Sequence, residues 1–213
     1  MRLVFSMLCL LSLLFMAVTC NGDDAFWPAY RQELVEVLTD EIGQTAYLVR
    51  DDADTLAVSN GMAWGNLTPD TAIRALVLYE IGASGKTIVH GVSSVLSSPP
   101  REFDQAMIRM DPVYVDAINH SGRYLNFFLK IKTSGTGHFW GFIDRGVIEV
   151  NDGVKLLRLS LYHDRHGDGT DYKRQICLSC PLYGYGSHLV SGRDSVEVQV
   201  NTYDGVSVRR FVF

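Results

Sequence analysis

The segment Asp111–Ile131 decides the fold class and has the sequence Asp-Pro-Val-Tyr-Val-Asp-Ala-Ile-Asn-His-Ser-Gly-Arg-Tyr-Leu-Asn-Phe-Phe-Leu-Lys-Ile. Residues from Tyr114 to Ile118 predict a short strand, and His120-Ser121-Gly122 predicts a turn. A longer strand is expected from Tyr124 to Ile131, because aromatic and β-branched residues dominate it. We therefore expect further strands of the same sheet system after this segment and a different domain before it.

The first residues of the chain predict an export signal. Arg2 is the only charged residue before an almost wholly apolar run from Leu3 to Val18, which is too short for a comfortable membrane span. Cys20 is either an ordinary residue near a cleavage site or the acylated first residue of a bacterial lipoprotein. The local sequence is a loose lipobox, since Leu is usual where Ala17 stands and Gly, Ala or Ser where Thr19 stands. We expect lipidation at Cys20.

The composition is that of a globular protein, with 47% hydrophobic and 20% charged residues. After Cys20 the chain is long enough for one large or two small domains. The formal net charge is −5, and it becomes −6 when Arg2 is removed with the signal. An acidic chain without a Lys/Arg cluster is a poor nucleic-acid binder, because neutralising phosphates supplies most of that affinity.

Short runs with regular turn signals and no long helical period indicate an all-β protein before and after residue 100. An acidic hairpin-like loop, Asp51-Asp52-Ala53-Asp54, separates two of the earlier runs. Ser97-Ser98-Pro99-Pro100 marks a boundary. About seven strands are expected after it, which is close to the strand count of a β-sandwich. Asp204-Gly205 predicts a hairpin between the last two of these strands.

Six short motifs occur in a recognisable order, although none is diagnostic alone. They are Arg74-Ala75-Leu76-Val77-Leu78-Tyr79, Val92-Ser93-Ser94-Val95-Leu96, Asp111-Pro112-Val113-Tyr114, Tyr124-Leu125-Asn126-Phe127, the turn from His163 to Asp168, and Asp194-Ser195-Val196. Their order resembles the NigD-like lipoproteins of the Bacteroidetes over nearly all of the chain after Cys20. The resemblance implies an N-terminal OB-like barrel, a C-terminal β-sandwich and a lipid anchor.

The resemblance also implies a non-enzymatic function. The family's namesake is associated with a bacteriocin locus, which suggests an immunity or accessory role, and no catalytic residues can be carried over. Asp23 and Asp24 resemble the acidic surface-export signal that follows the lipidated Cys in Bacteroidetes lipoproteins. Many relatives have Asn-Ala where this chain has Arg165-His166, so any role of His166 would be specific to this chain.

We therefore expect an all-β protein in five parts. They are a lipoprotein-type signal peptide at residues 1–19, a polar tether at 20–29, an OB-like barrel at 30–98, a linker at 99–110 and an antiparallel β-sandwich at 111–213. The expected product is a monomeric, non-enzymatic binding or accessory protein that is anchored by lipid to the outer membrane. Both a surface-facing and a periplasmic orientation stay open. We expect a protein partner in the envelope, and neither a cofactor nor nucleic acid.

Two His and two Cys offer the residue types of a structural zinc site, but their spacing argues against one. If Gly167-Asp168 is a hairpin turn, His163 and Cys177 lie about 16 Å apart along the strands. Zinc–ligand bonds are roughly 2.0–2.3 Å. A Cys177–Cys180 disulfide is also disfavoured, because positions i and i+3 of a strand have Cα atoms about 10 Å apart. We expect free thiols and no metal.

The segment from Asp164 to Asp171 is similar to a calcium-binding loop. Aligned from Asp164, however, it has His166 at the third ligand position and Gln175 where a bidentate Glu belongs. A solvated hairpin turn is the simpler interpretation, and fortuitous calcium binding stays open.

Catalysis has little support in the sequence, because there is no nucleophile-elbow motif, glycine-rich phosphate loop or His-Glu-x-x-His. An enzyme of unknown reaction is the third alternative. The second is a small-ligand or glycan-binding lipoprotein that uses aromatic loop residues: Trp64 in a Gly/Asn loop, and Tyr183 and Tyr185 beside glycines. Packing between the two domains would account for the same aromatics.

Overall fold

The computed structural model describes residues 29–61, 67–82 and 84–213, and within these it is built of strands with two short 3-10 turns. The strands are β1 Arg31–Thr39, β2 Thr45–Val49, β3 Thr55–Ala57, β4 Ala72–Ile81, β5 Thr87–Ser94, β6 Leu96–Ser97, β7 Tyr114–Ser121, β8 Tyr124–Thr133, β9 Phe139–Asn151, β10 Val154–Asp164, β11 Tyr172–Pro181, β12 Ser195–Thr202 and β13 Gly205–Val212. The all-β prediction is confirmed. No helix in the described ranges is long and apolar enough to cross a membrane.

Several predicted sites lie outside the described residues. They are the signal segment, Cys20, Asp23, Asp24 and Trp64. Their lipidation, export and binding roles therefore stay predictions.

The first five strands form one sheet in the order β3-β2-β1-β4-β5. Side chains alternate between its faces because successive residues of a strand point to opposite sides. Val35 and Val37 of β1 pack on one face with Ala75, Val77 and Tyr79 of β4, forming a small core. The opposite face faces the second half of the chain.

The two edges of this sheet meet at one point. Val58 forms an isolated parallel bridge with Thr87, and the Ser59 backbone N–H donates to the Thr87 carbonyl at 2.8 Å. The Asn60 side chain then bonds both backbone groups of Val89, at 2.7 and 3.0 Å. The two edges of the five-stranded sheet therefore touch at this point, but the sheet does not close into a barrel, and the OB-like assignment stays a prediction.

The remaining strands form a sandwich of two four-stranded sheets, β13-β12-β10-β9 and β6-β11-β8-β7. The segment Asp111–Ile131 contains the β7–β8 hairpin, and β7 continues to Ser121. The turn therefore lies at Gly122-Arg123, later than predicted. On β8, Leu125, Phe127, Leu129 and Ile131 alternate inward and are fully buried between the sheets.

The hairpin expected between β10 and β11 around Gly167-Asp168 is wrong. β10 pairs with β9 and β12, whereas β11 pairs with β8 and β6, so the chain crosses from one sheet to the other. A crossing lets both strands bury their apolar faces in the shared core. The hairpins at Asp51–Asp54 and Asp204-Gly205 are confirmed.

The connector between the two units runs along the sandwich and bonds to three of its strands. Arg101, Met110 and Val113 form parallel bridges to residues of β9, β10 and β12. β6 also pairs in parallel with β11. The segment predicted as a linker is therefore tied to the sandwich by backbone hydrogen bonds.

Candidate functional site

A buried arginine joins the two units. Arg74 points out of the N-terminal sheet and is only 5% exposed. Its guanidinium donates to both carboxylate oxygens of Asp51, at 2.5 and 2.9 Å, and to Ser179 Oγ at 3.2 Å and Asn126 Oδ1 at 3.1 Å. It also lies 3.9 Å from the ring centroid of Tyr124. We call these five residues the Arg74 cluster.

The partners of Arg74 are also bonded to one another. Asn126 Oδ1 accepts a second hydrogen bond from Ser179 Oγ at 2.7 Å, and Asn126 Nδ2 donates to Asp51 at 3.3 Å. A buried charge is tolerated when it is paired and hydrogen-bonded in this way. Two members come from the N-terminal sheet and its loop and three from the sandwich, so the cluster fixes how the two units pack.

Contacts around the β7–β8 turn extend this interface. The Tyr124 hydroxyl donates to Glu36 at 2.5 Å, and Arg123 pairs with the same carboxylate at 3.1 Å. Burial, together with the Glu36 bond, raises the pKa of Tyr124 above its usual range. Gly122 has φ of 53°, and a Cβ there would lie 1.9 Å from the Asp51 carbonyl oxygen. Only glycine allows the turn and the loop to approach so closely.

A cleft of about 800 Å³ opens between the two units beside the Arg74 cluster. We call it the interdomain cleft. Its N-terminal wall comprises residues 32–34, 50–52 and Leu76, and its sandwich wall comprises residues 119–121, 126, 128 and 175–177. Such a volume lies within the usual range of small-molecule and cofactor sites.

The lining of the interdomain cleft combines apolar and unused polar groups. Leu76 and Phe128 are half-buried and belong to its apolar part. The side-chain amides of Gln32, Asn119 and Gln175 are exposed and have no hydrogen-bond partner among the described residues. Each carboxamide offers both a donor and an acceptor, so the cleft can satisfy a ligand that carries both.

The N-terminal rim of the cleft is acidic. The Arg50 guanidinium pairs with Glu33 at 3.0 Å, with Asp52 at 3.1 Å and with Asp54 at 3.6 Å. One positive charge therefore faces three negative charges along this rim.

A second, smaller cleft of about 470 Å³ lies on the other side of Arg74. The predicted binding residue Tyr183 lines it and is 57% exposed, with its ring edge-on to Tyr124 at 6.5 Å. Tyr185, expected to protrude beside it, instead packs against the sandwich core and donates to Asp144 at 2.5 Å. Burial and this bond raise the pKa of Tyr185.

Both described cysteines are free thiols on β11. Cys177 lines the interdomain cleft, and burial raises its pKa to about 11. Cys180 lies in the sandwich core, where burial raises its pKa further. A thiol that stays protonated at neutral pH is a weak nucleophile, so neither cysteine has the character of a catalytic residue.

A buried chain of imidazoles lies at the other end of the sandwich. His163 Nδ1 donates to the Asp111 carbonyl at 2.9 Å, and its Nε2 lies 2.8 Å from His138 Nδ1. His138 Nε2 lies 3.0 Å from Asp168 Oδ2. Trp140 stacks on His163 at 4.0 Å with the planes 6° apart. All four ring nitrogens of His138 and His163 take part in these contacts, so neither ring has a nitrogen left for a hydroxyl or thiol of the described residues.

The acidic turn after β10 bonds to its own neighbourhood. Asp168 accepts from the Thr133 hydroxyl, from His138 and from the backbone N–H groups of Ser134 and Thr136, and these donors hold its pKa well below the usual range. In the described part of the chain, no group of three or more His, Cys, Asp or Glu is placed to hold a metal ion.

The sequence reasoning missed the residues that join the two units. Arg74 stands in an otherwise apolar strand segment, Ile73-Arg74-Ala75-Leu76, and a charge at such a position is a signal of a buried pair. Nothing in the spacing of Asp51 and Asn126 indicates that they meet it, because the contact depends on how two domains pack.

Comparison with known proteins places this fold. The model of the NigD-like C-terminal β-sandwich domain matches residues 95–212. A search of curated proteins finds no significant match. Among solved structures, the chain is similar to a NigD-like immunity protein from Bacteroides caccae, with 24% identity, a TM-score of 0.67, and coverage of 87% of this chain and 98% of that one.

Two further structures share the fold. A candidate toxin-related protein from Parabacteroides distasonis has 19% identity and a TM-score of 0.65 over 86% of this chain and 93% of its own. A protein of unknown function from Bacteroides vulgatus has 18% identity and a TM-score of 0.68 over 87% of this chain and 91% of its own. At these identities the likeness establishes the fold alone. Because the sandwich-domain model matches more than half of the sequence, the chain belongs to the NigD-like family.

Proposed function

We propose that this protein is a lipid-anchored envelope protein with a non-enzymatic binding or accessory role, and that the interdomain cleft is its binding site. The observation that carries the proposal is the set of unpartnered carboxamides at Gln32, Asn119 and Gln175 around an apolar lining. Binding sites combine apolar surface with a few converging polar groups in this way. The fixed packing of the two units around Arg74 would keep the cleft open before a ligand arrives.

The family supports an immunity or accessory role in particular. One solved relative is named as an immunity protein and another as a candidate toxin-related protein. An immunity protein works by binding, which agrees with a cleft whose cysteine is protonated and whose lining has no paired nucleophile and base among the described residues. The partner we propose is a protein of the envelope.

A cleft-blocking substitution tests the binding site. Gln175→Trp places a bulky side chain in the cleft, and Val206→Trp adds the same side chain to an exposed position of β13 outside it. The soluble chain from residue 21 onward should retain an envelope protein as wild type and as Val206→Trp, but not as Gln175→Trp. Equal retention by all three forms would contradict the cleft as the binding site.

A glycan-binding role is the second candidate, and the exposed ring of Tyr183 favours it. Sugars pack on exposed aromatic faces, and this ring lines the smaller cleft beside Arg123. Retention of an envelope oligosaccharide that Tyr183→Ala abolishes, with no protein partner retained, would replace the first proposal by this one.

The anchor is tested separately from binding. A diacylglycerol with a third acyl chain at Cys20 buries tens of methylenes at about 0.8 kcal/mol each, which holds a protein on a bilayer. We expect Cys20→Ala to abolish membrane association and Asp23→Ala with Asp24→Ala to reduce protease access on intact cells. Membrane-bound Cys20→Ala protein with its signal peptide removed would contradict the anchor.

A further inference from the structure

The face of the sandwich that lines the interdomain cleft continues past it into a pair of lysines. On β11, Cys177 and Gln175 line the cleft, and Lys173 follows at the next position of the same face, about 7 Å further along the strand. On β8, Lys132 is the direct register partner of Lys173. The two lysines therefore stand side by side at the outer end of the cleft.

This arrangement is unfavourable in the protein alone. Cross-strand partners have Cβ atoms about 5 Å apart, and like charges placed directly opposite each other destabilise a sheet. Within the described ranges no carboxylate lies within ion-pair distance of either ammonium group, whereas the neighbouring Lys130 pairs with Asp116 at 2.8 Å. The protein carries a formal net charge of −5, so unmatched lysines side by side are not a consequence of a basic surface.

Two tyrosines hold these lysines in place. Lys173 Nζ lies 4.2 Å from the ring centroid of Tyr114, and Lys132 Nζ lies 4.9 Å from that of Tyr203. The two rings pack on each other with centroids 4.4 Å apart. Cation–π contacts of this kind orient an ammonium group without neutralising its charge. The pair is therefore positioned and still lacks an anion.

We propose that Lys132 and Lys173 form a binding site for a phosphate group at the outer end of the interdomain cleft. A phosphate monoester carries about two negative charges at neutral pH, and it neutralises both lysines where a carboxylate neutralises one. The phosphate monoester belongs either to a soluble phosphorylated ligand or to a lipid headgroup that ends in a phosphate monoester, as in phosphatidic acid. The inference deepens the proposed function, on which it rests for the ligand that occupies the neighbouring cleft.

The test measures phosphate binding directly. Inorganic phosphate is titrated into the chain from residue 21 onward at constant ionic strength, and the backbone amide resonances of β8 and β11 are followed by NMR. We expect saturable shifts at Lys132 and Lys173, with affinity falling at least tenfold in the Lys132→Gln, Lys173→Gln double variant. Lys86→Gln removes an exposed lysine elsewhere and should bind phosphate as wild type does.

Binding to lipid vesicles distinguishes the two possible sources of the phosphate group. Vesicles that contain phosphatidic acid and bind wild type but not the double variant, with no binding to pure phosphatidylcholine vesicles, identify a lipid headgroup. Saturable phosphate binding without vesicle binding identifies a soluble ligand. Shifts that do not saturate, or that are unchanged in the double variant, overturn the site.

The proposed function can fail independently of this site. Gln175→Trp blocks the cleft and leaves both lysines in place. If that variant still binds phosphate and also retains the envelope protein, the cleft proposal fails while the phosphate site stands.

Discussion

His138 Nδ1 lies 2.8 Å from His163 Nε2 in the interior of the sandwich. The carbonyl of Asp111 can only accept, so His163 Nδ1 carries a proton and its Nε2 is the acceptor when the ring is neutral. His138 must then donate at both nitrogens, to His163 and to the carboxylate of Asp168. The two imidazoles therefore form one hydrogen-bonded chain from the Asp111 carbonyl to the Asp168 carboxylate.

This arrangement predicts a loss of stability in weak acid. Burial, ahead of the other causes, lowers the pKa of His163 to about 4 from its usual 6.5. As pH falls below 6.5, His163 takes up a proton in the unfolded state but stays neutral in the native state. The free energy of unfolding therefore decreases between pH 6.5 and pH 4. The contribution of His163 is about 3 kcal/mol.

NMR titration of the imidazole nitrogens checks this directly, with exposed His166 as an internal reference. Parallel urea unfolding of wild type and His163→Gln at pH 7.0 and 4.5 should give a smaller acid loss in the variant. Titration of His163 near pH 6.5 would contradict the account.

The Arg74 cluster predicts strong coupling between its charged members. Arg74→Met leaves Asp51 as an unpaired and largely buried carboxylate, which should cost about 3–5 kcal/mol. Arg74→Met with Asp51→Leu should cost less than the sum of the two single changes, because neither charge is then left alone. Urea unfolding of the four forms gives the coupling energy, and additive single effects would contradict the pairing.

Removing the hydroxyl of Tyr203 should stabilise the protein, whereas removing the hydroxyl of Tyr185 should destabilise it. The Tyr203 hydroxyl is buried without a hydrogen-bond partner in the described structure, so Tyr203→Phe should stabilise the protein by about 1 kcal/mol. Tyr185→Phe removes the donor to Asp144 and should destabilise it by about 1–2 kcal/mol. Thermal unfolding of both variants compares them, and a destabilising Tyr203→Phe would show that its hydroxyl has a partner.

The connector predicts how the sandwich depends on its N-terminal flank. A fragment of residues 104–213 should fold as a β-rich domain, and one of residues 95–213 should unfold at higher urea because it keeps β6 and the Arg101 bridge to Ile143. Circular dichroism and urea titration compare the two fragments. A disordered shorter fragment would place the true boundary before residue 104, and equal midpoints would show that these pairings add no stability.

The sequence predicted the strands well where one face is buried, as on β8 and β12, because alternation is then strong. The predicted hairpin between β10 and β11 was wrong, because a glycine turn signal does not indicate whether the next strand joins the same sheet. The clusters around Arg74 and His163 were missed for a related reason. Their members are far apart in sequence, and each polar residue alone has no pattern that indicates its partners.

A ligand that occupies the interdomain cleft should shield the thiol of Cys177 from chemical modification. Its thiol lines the cleft, whereas Cys180 on the same strand is fully buried and serves as the internal reference. The measurement is the rate of iodoacetamide modification of Cys177 at pH 9, in the soluble chain alone and after addition of the purified envelope protein that it retains. We predict at least fivefold protection of Cys177 in wild type and in Val206→Trp. An unchanged rate at a saturating concentration of the partner would contradict the interdomain cleft as the binding site.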